Sequence, residues 1–170
     1  MSGKLNFKAR TGWECHRTSV KVYVDLENAC GGSHAVSENQ ESIRQIVLGL
    51  KDQLAAQVTC SVGPMSLQSC PTLPWDWSFG RFIQGRGIDG ADLALIGAIE
   101  NEPFQENIDS LILVSGDHIF ADQIKRLEEF GISTTVISLS GALSNQLRKV
   151  ASTIQYLPEN QTLTTSRRTV

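Results

Sequence analysis

Two short runs constrain this chain more than anything else in it: Val20 to Leu26 (VKVYVDL), which contains Asp25 near its end, and Leu111 to Val114 (LILV), followed closely by Asp117. Continuous β-branched and apolar residues over such a length suit strands buried on both faces, and such strands require helices above and below them. The intervening sequence supplies those helices. Between Glu38 and Gln57, Ile43, Ile46, Val47, Leu50 and Leu54 recur at helical spacing. Similar patterns cover Asp89 to Glu100, a segment with Phe120, Ile124, Leu127 and Phe130 on one face that stops at Gly131, and Leu143 to Val150. Further strands are expected over Gln57 to Val62, Arg81 to Gln84, Ser133 to Leu139 and Thr153 to Leu157. Strands alternating with helices on short connections predict a three-layer α/β/α sandwich with a mainly parallel sheet.

The 170 residues suffice for one core, and the pattern places that domain at residues 19–158, with an N-terminal extension at 1–18 and a polar, disordered tail at 159–170. Gly63 to Ser78, with Pro64, Pro71 and Pro74, reads as irregular, and its WDW segment (Trp75, Trp77) as an anchor onto the core. A net charge of -3 excludes nucleic-acid binding through a broadly basic surface, so any such contact must be local. The cysteines, Cys15, Cys30, Cys60 and Cys70, form no CxxC pair, which argues for reduced, buried thiols rather than zinc or disulfides. With no signal-peptide core and no apolar stretch of membrane-spanning length, the expected setting is cytoplasmic and away from membranes.

In parallel sheets ligands sit outside the carboxyl ends of the strands. One strand runs into Asp25, with Asn28 three residues on, and LILV runs through Ser115 and Gly116 into Asp117. Asp89 and Asp92 open a helix at the same edge and are spaced to share a face. Carboxylates gathered in this way repel one another unless a cation is present, and oxygen ligands with waters suit Mg²⁺ or Mn²⁺. The expected chemistry is phosphodiester hydrolysis by metal-activated water. The plainer readings are that Asp25 and Asp117 cap turns, Asp89 is an N-cap, Asp92 complements the helix dipole, and Asn28 shapes a turn. Ser115 is placed to donate to a neighbouring carboxylate, and His118 to act as a base or to pair with an aspartate on the surface. Arg81 and Arg86 precede the acidic helix and suit phosphate contact. Trp75 and Trp77 are alternative stacking platforms for unpaired bases.

The segments VYVDLEN (Val22 to Asn28), DGADLAL (Asp89 to Leu95), LVSGDHIF (Leu113 to Phe120) and GISTTVIS (Gly131 to Ser138) resemble, in order and spacing, the NYN domain of the PIN-like ribonuclease superfamily. This resemblance implies a metal-dependent endoribonuclease acting on RNA, with catalytic or metal-binding roles at Asp25, Asp92 and Asp117 and Asn28 as a site residue. Two positions depart from the pattern: Ile119 stands where many members carry a second acid, and Asp89 where related proteins often carry Lys.

A second expectation is therefore a catalytically weak or inactive NYN domain serving as an RNA-binding or protein-interaction module. An aspartyl phosphatase is disfavoured by Glu27 where a second Asp belongs, and a dinucleotide-binding fold by DLENACGG in place of GxGxxG. The expected partner is single-stranded RNA, with two-fold self-pairing the commonest assembly for such a chain.

Overall fold

The computed structural model describes residues 19–103 and 108–159; the expected N-terminal extension, Cys15 and the tail from residue 160 lie outside the described residues. Six strands form one wholly parallel sheet: β1 (Ser19–Asp25), β2 (Gln57–Val62), β3 (Arg81–Gln84), β4 (Ile108–Val114), β5 (Ser133–Ser138) and β6 (Thr153–Tyr156), in the order β3-β2-β1-β4-β5-β6. The order reverses direction between β1 and β4. At that switch the two crossover connections leave on opposite faces, which opens a crevice at the carboxyl ends.

Side-chain alternation along the strands divides the core in two. Val22 and Val24 of β1, with Ile112 and Val114 of β4, pack under α1 (Leu26–Cys30) and α2 (Val36–Leu54). Tyr23, Leu111 and Leu113 face the other way, onto α5 (Gly90–Glu100), α6 (Ala121–Glu129) and α7 (Asn145–Val150). The result is the expected three-layer α/β/α sandwich. Each fully buried aliphatic side chain contributes roughly 1.5–3 kcal/mol relative to exposure, so the two central strands carry much of the driving force.

The segment from Gly63 to Ser78 corrects the expectation of irregular structure, because it forms α3 (Pro64–Ser69) and α4 (Leu73–Asp76). Proline is disruptive inside a helix but compatible with its first turn, where its missing N–H has no intrahelical partner, and both helices carry proline there. The tryptophans separate: Trp77 is buried, with its indole N–H donating to Gln40, whereas Trp75 is 73% exposed. Two other expectations also shift. Phe130 is exposed and lies under the Arg126 guanidinium rather than in the core. Asp89 occupies the N-cap position of α5, but in a left-handed conformation (φ 54°) that leaves its side chain without a capping bond.

Candidate functional site

β1 ends at Asp25, whose extended backbone and carboxylate start α1: Oδ1 accepts from the Asn28 N–H at 3.3 Å. α1 lasts only to Cys30 because Gly31 adopts φ +92°, a left-handed conformation suited to glycine. Gly31, Gly32 and a 3₁₀ turn at Ser33–Ala35 then lead into α2. Next to β1, β4 continues through Ser115 and Gly116 to Asp117, which caps a 3₁₀ turn at His118–Phe120 by accepting from the Ile119 N–H at 3.0 Å.

Side chains stitch these two strand ends together. The Ser115 hydroxyl donates to Asp25 Oδ2 (2.9 Å) and accepts from the Asp117 N–H (3.2 Å), while the Gly116 N–H donates to Asn28 Oδ1 (2.8 Å). Gly116 is required sterically as well: a Cβ there would lie 2.3 Å from both the Ala142 carbonyl oxygen and Ser138 Oγ. The capping roles of Asp25 and Asp117 are therefore real, and they hold the carboxylates toward the crevice.

A cavity of about 390 Å³ opens at this point, walled by Asp25, Glu27, Asn28, Asp92 and Asp117 together with Gly31, Gly32, Ser33 and Ala142. The three aspartates from distant parts of the chain thus share one pocket. Among the described residues its wall includes four carboxylates and no Lys, Arg or His. Asp25, only 2% exposed, has its carboxyl pushed up to about 7, first by burial and then by the charge of Asp92. Asp92, half-buried, is pushed up to about 6 by burial and by Asp117, Asp89 and Glu27.

Among the described residues no group of three or more His, Cys, Asp or Glu side chains is placed to ligate one metal ion directly. The donor set nevertheless fits a hard cation chemically: its oxygens are unbalanced by any cationic side chain among the described residues of the wall. Beside Asp25 on β2, the fully buried Ser61 hydroxyl has no hydrogen-bond partner among the described residues. Mg²⁺ commonly keeps several waters and binds through one or two carboxylates, an arrangement that does not need three direct ligands.

Not every expected residue reaches the cavity. Ser115 is fully buried and acts on Asp25, not on a bound molecule. Arg86 and Asp89 are exposed in the loop between β3 and α5, outside the wall, and Asp89 acts on the site through its charge on Asp92. His118 pairs with Asp117 (Nδ1 to Oδ1 3.0 Å) at the surface. Sequence reasoning missed Glu27 as a wall residue. Its Oε1 accepts from the Gly63 N–H at 3.1 Å and from the Ser66 hydroxyl, tying α1 to the start of α3. Its place two residues after Asp25, in the same strand-to-helix turn, was the available signal.

No family model matches the chain, and no curated protein matches it. Among solved structures, the crystal structure of a protein of unknown function from Vibrio parahaemolyticus is similar with a TM-score of 0.59 at 18% identity, covering 87% of this chain and 98% of that one. At that identity the likeness concerns the fold alone. No helix among the described residues is long and apolar enough to cross a membrane.

Proposed function

We propose that this domain is a metal-dependent endoribonuclease of the NYN type, hydrolysing phosphodiesters of single-stranded RNA in the cytoplasm. The observation that carries the reading is the meeting of Asp25, Asp92 and Asp117, with Glu27 and Asn28, in one acidic crevice at the switch point of a parallel sheet. Strand order alone does not choose among functions, since dinucleotide-binding folds use the same one. The first strand-to-helix turn does discriminate, because Asp25 and Glu27 stand where a pyrophosphate would have to sit.

In this reading Asp25, Asp92 and Asp117 would hold Mg²⁺ or Mn²⁺, which when bound supplies an acidified water and stabilises charge developing on the phosphoryl oxygens. Ser115 fixes the Asp25 carboxylate through Oδ2, and the Gly116 N–H fixes the Asn28 amide. Asn28 Nδ2 then remains as an amide donor on the cavity wall for a substrate oxygen. The raised carboxyls of Asp25 and Asp92 give the site groups able to take up or release a proton near neutral pH.

A second reading, a weak or inactive NYN domain serving as an RNA-binding or interaction module, draws on two observations: Ile119 in place of an acid, and three aspartates that share a cavity without forming one direct ligand shell. The deciding experiment incubates the protein with mixed single-stranded and structured RNA, with and without Mn²⁺, beside Asp25→Asn. Mn²⁺-dependent cleavage lost in the variant supports the nuclease. Equal cleavage by both proteins refutes it, and RNA binding without cleavage selects the second reading.

A further inference from the structure

Among the described residues the cavity wall combines four carboxylates with no cationic side chain, so a polyanionic strand entering it needs a donor at the rim. The Gly31–Ser33 side of the wall leads directly into such a group. His34 follows Ser33 in the 3₁₀ turn, is exposed, and takes part in no hydrogen bond or ion pair among the described residues. His118, by contrast, is already engaged by Asp117.

The imidazole is not simply a side chain loose in solvent. It rests against the backbone of Gly32, a wall residue, in the space any other residue would fill: a Cβ on Gly32 would lie 2.8 Å from His34 Cε1 and 2.9 Å from Nδ1. Gly32 itself has φ +121°, a backbone conformation that selects glycine and leaves the space the ring occupies. The second ring nitrogen, Nε2, is 3.9 Å from the same point, farther from it than Nδ1.

We infer that His34 is a substrate-binding residue for the proposed reaction, its imidazole N–H donating to a phosphate oxygen of the RNA strand adjacent to the one in the acidic crevice. Imidazole has an N–H donor in either protonation state, so the contact does not depend on its titration. The inference rests on the nuclease reading and assigns His34 a binding role, not a part in bond cleavage.

The test compares wild type with His34→Ala, His34→Lys and His34→Phe, using a short fluorescein-labelled single-stranded RNA. Steady-state cleavage is measured in Mn²⁺, and binding by anisotropy in Ca²⁺. His34→Ala is expected to raise KM and Kd about three- to tenfold, the range for loss of one phosphate contact, with kcat within about twofold. His34→Lys, which restores a donor, should return most of the affinity. Unchanged KM and Kd in His34→Ala overturn the inference while leaving the nuclease reading intact, as does full rescue by His34→Phe, which would mark a stacking or packing role. Should wild type show no Mn²⁺-dependent cleavage, the nuclease reading fails by itself. His34 is then judged on binding alone, and an affinity indifferent to His34→Ala overturns it.

Discussion

Asp25→Asn should make the metal-free protein more stable at alkaline pH while abolishing the proposed activity. The Asp25 carboxyl is buried and its pKa is raised from 3.8 to about 7 in the folded protein. Between those values the folded state binds more protons than the unfolded one, so stability falls as pH rises through the window and levels off above about 7. An interval of roughly three pH units at about 1.4 kcal/mol per unit sets a ceiling of about 4 kcal/mol. Asparagine removes the charge but has one oxygen where the carboxylate uses two, Oδ1 toward the Asn28 N–H and Oδ2 toward the Ser115 hydroxyl. Losing one of those bonds returns about 1 kcal/mol, leaving a net gain of about 2–3 kcal/mol at pH 8. For a domain of this size that is a rise in melting temperature on the order of 5–10 °C. Thermal melts in EDTA at pH 8 and pH 4.5 measure it: the variant should melt higher at pH 8, and the gap should close or reverse at pH 4.5, where the folded carboxyl is protonated and, less than one pH unit above the unfolded value of 3.8, wild type has lost only about 1 kcal/mol, which the variant's missing hydrogen bond offsets. Adding Mn²⁺ at pH 8 should raise wild type and leave the variant unmoved, since an ion bound only by the native state stabilises it by mass action. A variant that melts at or below wild type in EDTA at pH 8 would refute the claim that the crevice holds an electrostatically strained carboxylate.

Ser115→Ala removes a hydrogen bond that holds the Asp25 carboxyl down, so the pH at which activity rises should move in the alkaline direction; a pH–rate profile identical to wild type would show that this hydroxyl does not tune the site. Gly116→Ala places a Cβ against the Ala142 carbonyl and Ser138 Oγ and should cost about 2–4 kcal/mol in urea unfolding, with loss of cleavage through displaced Asn28. The two tryptophans should differ sharply: Trp77→Ala is expected to cost about 3–5 kcal/mol as a buried aromatic deletion, and Trp75→Ala to stay within about 0.5 kcal/mol, both read by chemical denaturation.

Much of the architecture is legible in the residues because it follows from periodicity. β2 and β3 lie at Gln57–Val62 and Arg81–Gln84, as their β-branched and flanking turn residues indicate, and the helix around Ile43, Val47 and Leu50 buries those side chains. The helices within 63–78 are not legible in the composition, because the effect of a proline depends on its position in a helix, and the start of a short helix is set by packing around Leu73 and Trp77 more than by local composition. Phe130 fits the apolar face by spacing, yet α6 ends at Glu129 and Gly131 turns the chain before its ring can reach the core.

By itself the sequence determined that strands would run into Asp25 and Asp117 and that Asp92 would open a helix at the same edge, since chain direction in a parallel sheet sends every strand's end to one side. Tertiary structure alone decided that Glu27 and the Gly31–Ser33 turn complete the wall, that Ser115 lies beneath it, and that Arg86 and His118 stand outside it. Periodicity specifies which face of an element is buried, but the distance between side chains from separate elements depends on how those elements pack, and the chemistry of a crevice depends on that distance.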